Sequence, residues 1–232
     1  MISHKYKCIF IHIPKTAGTS IETALGHFDN WKKSKNNQGR NGQDHRSLRM
    51  LEKPRFSPEF FFTPENIIEI IKSIRHQTLI HSNPNNKLTV NLEQYQTYFK
   101  FSVVRNPWSR VFSGYCNIMR DKIHLNNTGL TTDLTFNRFV SKHLDNQLLK
   151  PQTYWLKNFS GKIDLDYICR FETLDRDFWE ICKILNLGNI SLPHTLKNSK
   201  KDYRQEYDPQ SIEIVREKYL EEIKMFNYTF EK

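Results

Sequence analysis

The sequence predicts an α/β fold of three layers, P-loop-like, around a mostly parallel central sheet. Three stretches predict it: Lys7–Leu25, Lys100–Tyr115 and Ile163–Leu187 each pass from an apolar strand through a turn into a helical pattern. Strands that alternate with helices build parallel sheets with helices on their faces. No repeat or low-complexity tract interrupts the 232 residues, which read as a single domain, 1–232.

In the first stretch, KCIFIHIPKTAGTSIETAL, Cys8, Ile9, Phe10 and Ile11, with Ile13 after His12, form an apolar run suited to a buried strand. Pro14 ends it. Lys15, Thr16, Ala17, Gly18, Thr19 and Ser20 follow, and Ile21, Ala24 and Leu25 then recur at helical spacing. A strand, a tight turn and a helix start make an anion-binding geometry, because the first helical turn leaves backbone N–H groups unpaired at the positive end of the dipole. Gly18 permits close approach to the backbone. Lys15 adds a full charge, and the Thr and Ser hydroxyls add neutral donors. A nucleoside-triphosphatase loop places its lysine after the glycines, whereas Lys15 precedes Gly18, so the Walker pattern is absent. The plain alternative is a polar turn without a ligand.

Lys100–Val104 is the second strand, and Asn106-Pro107 closes it and caps the helix that follows. Arg105 therefore sits at the carboxyl end of a central strand, where ligands gather in open α/β sheets. Its planar fork suits a phosphate; a structural pairing with a carboxylate is the alternative. Ser109 and Ser113 lie one turn apart on one helical face. Trp108 is expected to pack, and Arg110 is expected to be a surface charge.

These two motifs, PKTAGTS (14–20) and FSVVRNPWSRVFSGY (101–115), resemble the 5′-phosphosulfate loop and the 3′-phosphate site of sulfotransferases that use 3′-phosphoadenosine 5′-phosphosulfate (PAPS) as donor. The likeness is to the branch that includes the carbohydrate 2-O-sulfotransferases and their small bacterial relatives. It spans most of the chain and is loose over Asp29–Phe99. The resemblance implies the sulfotransferase version of the three-layer P-loop-like fold, and transfer of a sulfuryl group from PAPS to an acceptor hydroxyl, on a saccharide or glycolipid, with no metal. It implies that Lys15–Ser20 hold the 5′ end of the donor and that Arg105 with Ser113 holds the 3′-phosphate. It further implies that the basic loop Pro193–Tyr203 closes over the nucleotide, with Lys197, Asn198 and Ser199 as contacts; a solvated loop is the alternative.

In related glycan sulfotransferases a histidine after the first loop is the base. His45, in GQDHRSLRMLE (42–52), holds that place here, and an imidazole has the right intrinsic pKa to take a hydroxyl proton. An ordinary exposed loop histidine is the alternative. His76, His81 and His194 are rival bases, and His76 and His81 are also candidates to line the acceptor pocket. Tyr154 and Trp155, in PQTYWL (151–156), read either as an exposed segment that stacks on a sugar ring or as aromatics packed against the sheet.

Elsewhere, Thr63-Pro64 opens a helix whose stripe of Ile67, Ile68, Ile71 and Ile74 is expected to be core. Asp121–Asp133 reads as a polar loop and Leu134–Leu144 as a short helix. Ile163–Phe171 is the third strand, and Phe178–Leu187 the helix after it. Asp208-Pro209 caps a last helix striped by Ile212, Val215, Tyr219, Ile223 and Phe226.

The net charge of +10 favours an anionic partner. No aromatic-basic RNA motif accompanies it, which argues against nucleic acid. Cys8, Cys116, Cys169 and Cys182 are scattered in apolar settings without metal-ligand spacing, as in a reducing compartment. No apolar run approaches the ~20 residues of a membrane span, and the chain enters its first strand without a leader-like segment. The expectation is a bacterial or viral protein of the cytoplasm or the inner membrane surface. A nucleotide-dependent kinase with an aberrant loop and a non-catalytic anion-binding module stay open as alternatives. Against the kinase, the third strand carries no apolar run plus aspartate for magnesium. Oligomeric state leaves no mark in the sequence.

Overall fold

Among the described residues four strands form one sheet in the order β1 (Ile2–Ser3), β2 (Cys8–Ile11), β3 (Phe99–Val104), β4 (Tyr167–Arg170). β1 pairs antiparallel with β2, while β2–β3 and β3–β4 are parallel. The computed structural model describes residues 1–29, 42–53, 63–120, 122–188, 190–193 and 202–231. Its helices are α1 (Gly18–Ala24), α2 (Leu48–Leu51), α3 (Pro64–Thr78), α4 (Leu92–Thr97), α5 (Pro107–Arg120), α6 (Lys122–Thr128), α7 (Phe136–Lys142), α8 (Gln152–Leu156), α9 (Leu174–Ile184), α10 (Pro209–Lys218) and α11 (Leu220–Phe226). None of them is long and apolar enough to cross a membrane. The chain falls into two compact units. The first holds Met1–Ile13, Ala17–Val104 and Tyr154–Thr195; the second holds Pro14–Thr16, Arg105–Thr153 and Leu196–Lys232.

In the first unit, alternate residues of the strands share one face of the sheet. Cys8, Phe10, Phe101, Val103 and Cys169 pack there with Ile21 of α1 and Phe178 and Ile181 of α9, all buried. Period-two side-chain placement gives the face, and the near-continuous apolar character of β2 and β3 follows from burial on both sides. The third strand is shorter than its apolar pattern, since only Tyr167–Arg170 joins the ladder and Ile163 makes an isolated antiparallel bridge to Lys157. The helix after it starts earlier than expected, at Leu174, with Asp175 and Asp177 in its first turn.

The expected isoleucine core of α3 is overturned. Thr63 caps the helix and Pro64 opens it as its sequence implies, but Ile67, Ile68, Ile71 and Ile74 are exposed by 45, 49, 59 and 55%. The buried residues are Asn66, Glu69 and Ser73. Their partners explain the inversion. Asn66 Nδ2 donates to Phe159 O at 3.0 Å and Ser73 Oγ to Met50 O at 3.2 Å. Glu69 accepts from Ser47 Oγ, Tyr154 Oη and Lys72 Nζ. A buried polar face stands only when its groups are satisfied in this way.

In the second unit, α5 is the central element. Asn106 Oδ1 accepts from Trp108 N at 3.1 Å, capping the helix. Trp108, Val111 and Phe112 pack with Phe139 of α7 and with Val215 and Tyr219. Gly114 sits against Leu149, whose Cδ2 would lie 2.9 Å from an added β-carbon. Trp108 packs as expected, with Nε1 donating to Ile212 O at 3.0 Å. The stretch read as a polar loop at 121–133 contains α6. The single last helix is two, α10 and α11, separated at Tyr219 (φ −113, ψ 22). That residue turns its hydroxyl inward to Leu149 O at 2.7 Å.

Candidate active site

Lys15 and Arg105 lie together in the second unit. Lys15 takes a left-handed backbone conformation (φ 71), which for a side chain with a β-carbon costs roughly 1–2 kcal/mol. Two arginines hold the carbonyls there: Arg105 Nη1 donates to Lys15 O at 3.2 Å and Arg110 Nε to Pro14 O at 3.1 Å. Arg105 Nε donates to Ser109 Oγ at 3.0 Å. The Arg105 backbone is fixed by one amide side chain, for its N donates to Gln152 Oε1 at 2.8 Å and its O accepts from Gln152 Nε2 at 2.9 Å. Glu222, buried, accepts in turn from Gln152 Nε2 at 3.0 Å and from the Gln152 backbone N.

Arg110 is not the surface charge its position in the helix suggests. It is 0% exposed, and Nη2 donates to Leu148 O at 3.0 Å and Lys150 O at 2.9 Å. Burial pushes its pKa down, and the three carbonyls supply the charge-assisted bonds that make such burial tolerable. Ser113 is buried at 4% exposure and Thr16 at 0%. The Lys15 ammonium, by contrast, is pushed down to about 8 by burial and by the positive charges of Arg105 and Arg120. Cations gathered in this way are chemically fitted to a multiply charged anion. Arg120, the last residue of α5, is the member that sequence reasoning missed; only its place on the Ser109, Ser113, Cys116 stripe of the helix could have signalled it.

The rest of the loop belongs to the first unit. Ala17 is also left-handed (φ 66) and stands at the N-cap of α1, without a side-chain cap. The Ser20 N–H, expected to be open to an anion, donates to Ala17 O at 2.9 Å. Gly18 lies flush on the His12 ring, and a β-carbon there would collide with it.

His45 is exposed, and Nδ1 is 3.2 Å from His12 O. The two imidazoles are 4.1 Å apart, and the Trp155 ring is 6.3 Å from His45. The inward face of His45 is desolvated, which together with His12 pushes its pKa down to about 4; water at the exposed edge moderates that depression. Its imidazole is neutral at neutral pH. His12 Nδ1 faces Glu22 Oε1 at 3.0 Å, and the same oxygen accepts from Asp44 N at 2.9 Å. Neither His12 nor Glu22 stood out in the sequence, because each reads as one residue of a strand or a helix.

Other expected site residues are placed differently. Trp155 is 7% exposed, so of its two readings the packed aromatic holds and the open sugar platform does not. The Tyr154 hydroxyl is committed to Glu69 and to Lys72 Nζ at 2.6 Å, and its pKa is pushed up to about 12 by burial and by Glu69. His81 pairs with His76, rings 4.1 Å apart, and its Nε2 is 2.7 Å from His76 O. His194, Lys197, Asn198 and Ser199 lie outside the described residues. Among the described residues no group of three or more His, Cys, Asp or Glu is arranged to hold a metal ion. Cys116 is half-buried, unlike the core thiols Cys8, Cys169 and Cys182.

A model of the sulfotransferase family matches residues 1–229. No curated protein and no solved structure matches the chain. The family match takes in both anion motifs and all four strands, and with it the chain belongs to the sulfotransferase family, enzymes that transfer a sulfuryl group.

Proposed function

We propose that the chain transfers the sulfuryl group of PAPS to a hydroxyl of a saccharide or glycolipid acceptor, in line and without a covalent enzyme intermediate. The observation that carries this reading is the Arg105–Lys15 hydrogen bond, which brings the two anion motifs together, with the charges of Arg105 and Arg120 acting on the Lys15 ammonium. A donor with phosphate at both ends of one ribose needs two cationic grips, and a triphosphate does not call for the second in this place.

In the reaction, the bond from sulfur to the 5′-phosphate oxygen breaks as the acceptor oxygen bonds to sulfur. His45 takes the acceptor proton. Lys15 neutralises charge growing on the departing phosphate oxygen, and Thr16, Ala17, Gly18, Thr19 and Ser20 line the same turn. Arg105, with Ser113 of α5, holds the 3′-phosphate, aided by Lys197, Asn198 and Ser199. Positioning and fixed charge supply most of the rate in transfers of this kind.

Calorimetry with 3′-phosphoadenosine 5′-phosphate against ADP tests the donor. The reading expects preference for the first, lost in Arg105→Ala; equal affinity for the two would overturn it.

A further inference from the structure

His45 Nδ1 lies against a carbonyl, and a carbonyl can only accept. The proton of the neutral ring is therefore on Nδ1, leaving the Nε2 lone pair for the acceptor hydroxyl. Behind that arrangement stands a carboxylate with no place in the sulfuryl chemistry above. Glu22 of α1 is 0% exposed. Its Oε1 takes the N–H of Asp44, the residue before His45, at 2.9 Å. The same oxygen is 3.0 Å from His12 Nδ1, and His12 is the residue whose carbonyl faces His45. Gly18, without a β-carbon, leaves the room that the His12 ring fills.

We infer that Glu22 is a positioning residue: through His12 and the Asp44 backbone it fixes His45 as the Nδ1–H tautomer and stabilises the imidazolium that forms when Nε2 takes a proton. Burial pushes the Glu22 pKa up, while the Met1 amino group, His27 and His45 pull it back toward the charged form; a carboxylate behind an imidazole serves a base in this way without touching substrate. The titratable and charged groups around the pair are His12, His27, Asp44 and the Met1 amino group. The Glu22 charge acts to raise the His45 pKa against the lowering by burial and His12.

The inference rests on the reading of His45 as base, and the experiment separates the two. Glu22→Gln keeps an oxygen for the Asp44 N–H and removes the charge. Its kcat is expected to fall about tenfold or more, with affinity for 3′-phosphoadenosine 5′-phosphate held within about twofold and the NMR pKa of His45 lowered. Wild-type kcat and an unchanged His45 titration in this variant would overturn the inference. Should Glu22→Gln fail to fold, proton–nitrogen correlation spectra of the wild-type imidazoles decide: the Nδ1–H tautomer at His45 supports the inference and the Nε2–H tautomer sinks it. Turnover surviving in His45→Ala removes the base reading and the inference with it. An inactive His45→Ala beside a fully active Glu22→Gln removes the inference alone.

Discussion

Arg105 Nη1 donates to the carbonyl of Lys15 at 3.2 Å, joining two motifs that are far apart in the chain. The sheet explains the meeting: β2 and β3 are parallel neighbours, so the segments leaving their carboxyl ends start side by side. The bond also holds Lys15 in its left-handed conformation. Arg105→Lys keeps the charge but loses the fork that serves Ser109 and the Lys15 carbonyl together. It is expected to weaken binding of 3′-phosphoadenosine 5′-phosphate by about 1.5–3 kcal/mol, nearly as much as Arg105→Ala. Calorimetry on both variants measures this, and a lysine variant with wild-type affinity would count against it.

Arg110 bonds three carbonyls from a fully buried position. Arg110→Met strands those acceptors. The expected loss is about 3–5 kcal/mol of stability in urea unfolding. A change below about 1 kcal/mol would show that the carbonyls find other partners.

Gly18 touches the His12 ring so closely that a β-carbon displaces it. Gly18→Ala is expected to lower kcat at least about tenfold while the midpoint of thermal unfolding moves by only a few degrees. Unaltered turnover would mean that the ring moves without consequence.

Burial and the neighbouring arginines lower Lys15 to about 8. A lowered lysine pKa means that folding expels the proton. Between about 8 and the unfolded value near 10.5 the unfolded chain holds more protons, so stability of the ligand-free protein rises with pH in that window. Anion binding runs the other way, since it needs the ammonium. Affinity for 3′-phosphoadenosine 5′-phosphate is expected to fall by up to about tenfold per pH unit above that pKa. In Lys15→Arg, which stays charged, the fall should vanish. Titrations at several pH values across this range, in both proteins, give the comparison.

The exposed isoleucines of α3 are expected to tolerate polar substitution. Ile71→Ser should change stability by no more than about 0.5 kcal/mol. Glu69→Ala, on the buried side, should lose about 2 kcal/mol or more, because Ser47, Tyr154 and Lys72 lose their acceptor. Chemical denaturation of the two variants gives the order, and the reverse order would restore the isoleucines to a core.

Local chemistry was legible in the chain. The apolar runs of β2 and β3, the turn between Pro14 and Ser20, the caps at Thr63, Asn106 and Asp208, and the proline after each cap are set by neighbours within four residues. The lysine loop and the arginine strand end were each legible, and their meeting was implied by the family resemblance. Orientation was not legible. The helical period of Ile67, Ile68, Ile71 and Ile74 identifies a face, yet burial went to Asn66, Glu69 and Ser73, whose partners are as far away in sequence as Phe159. Arg110 reads as a first-turn charge until three distant carbonyls surround it, and Trp155 reads equally as an open or a packed aromatic until its burial decides. Glu22 and His12 gain a role only when α1 brings the carboxylate against the strand end and the residue before His45. Secondary structure answers to short-range sterics and hydrogen bonds, which a sequence displays. Whether a polar group is buried answers to the partners folding delivers to it, and these come from anywhere along the chain.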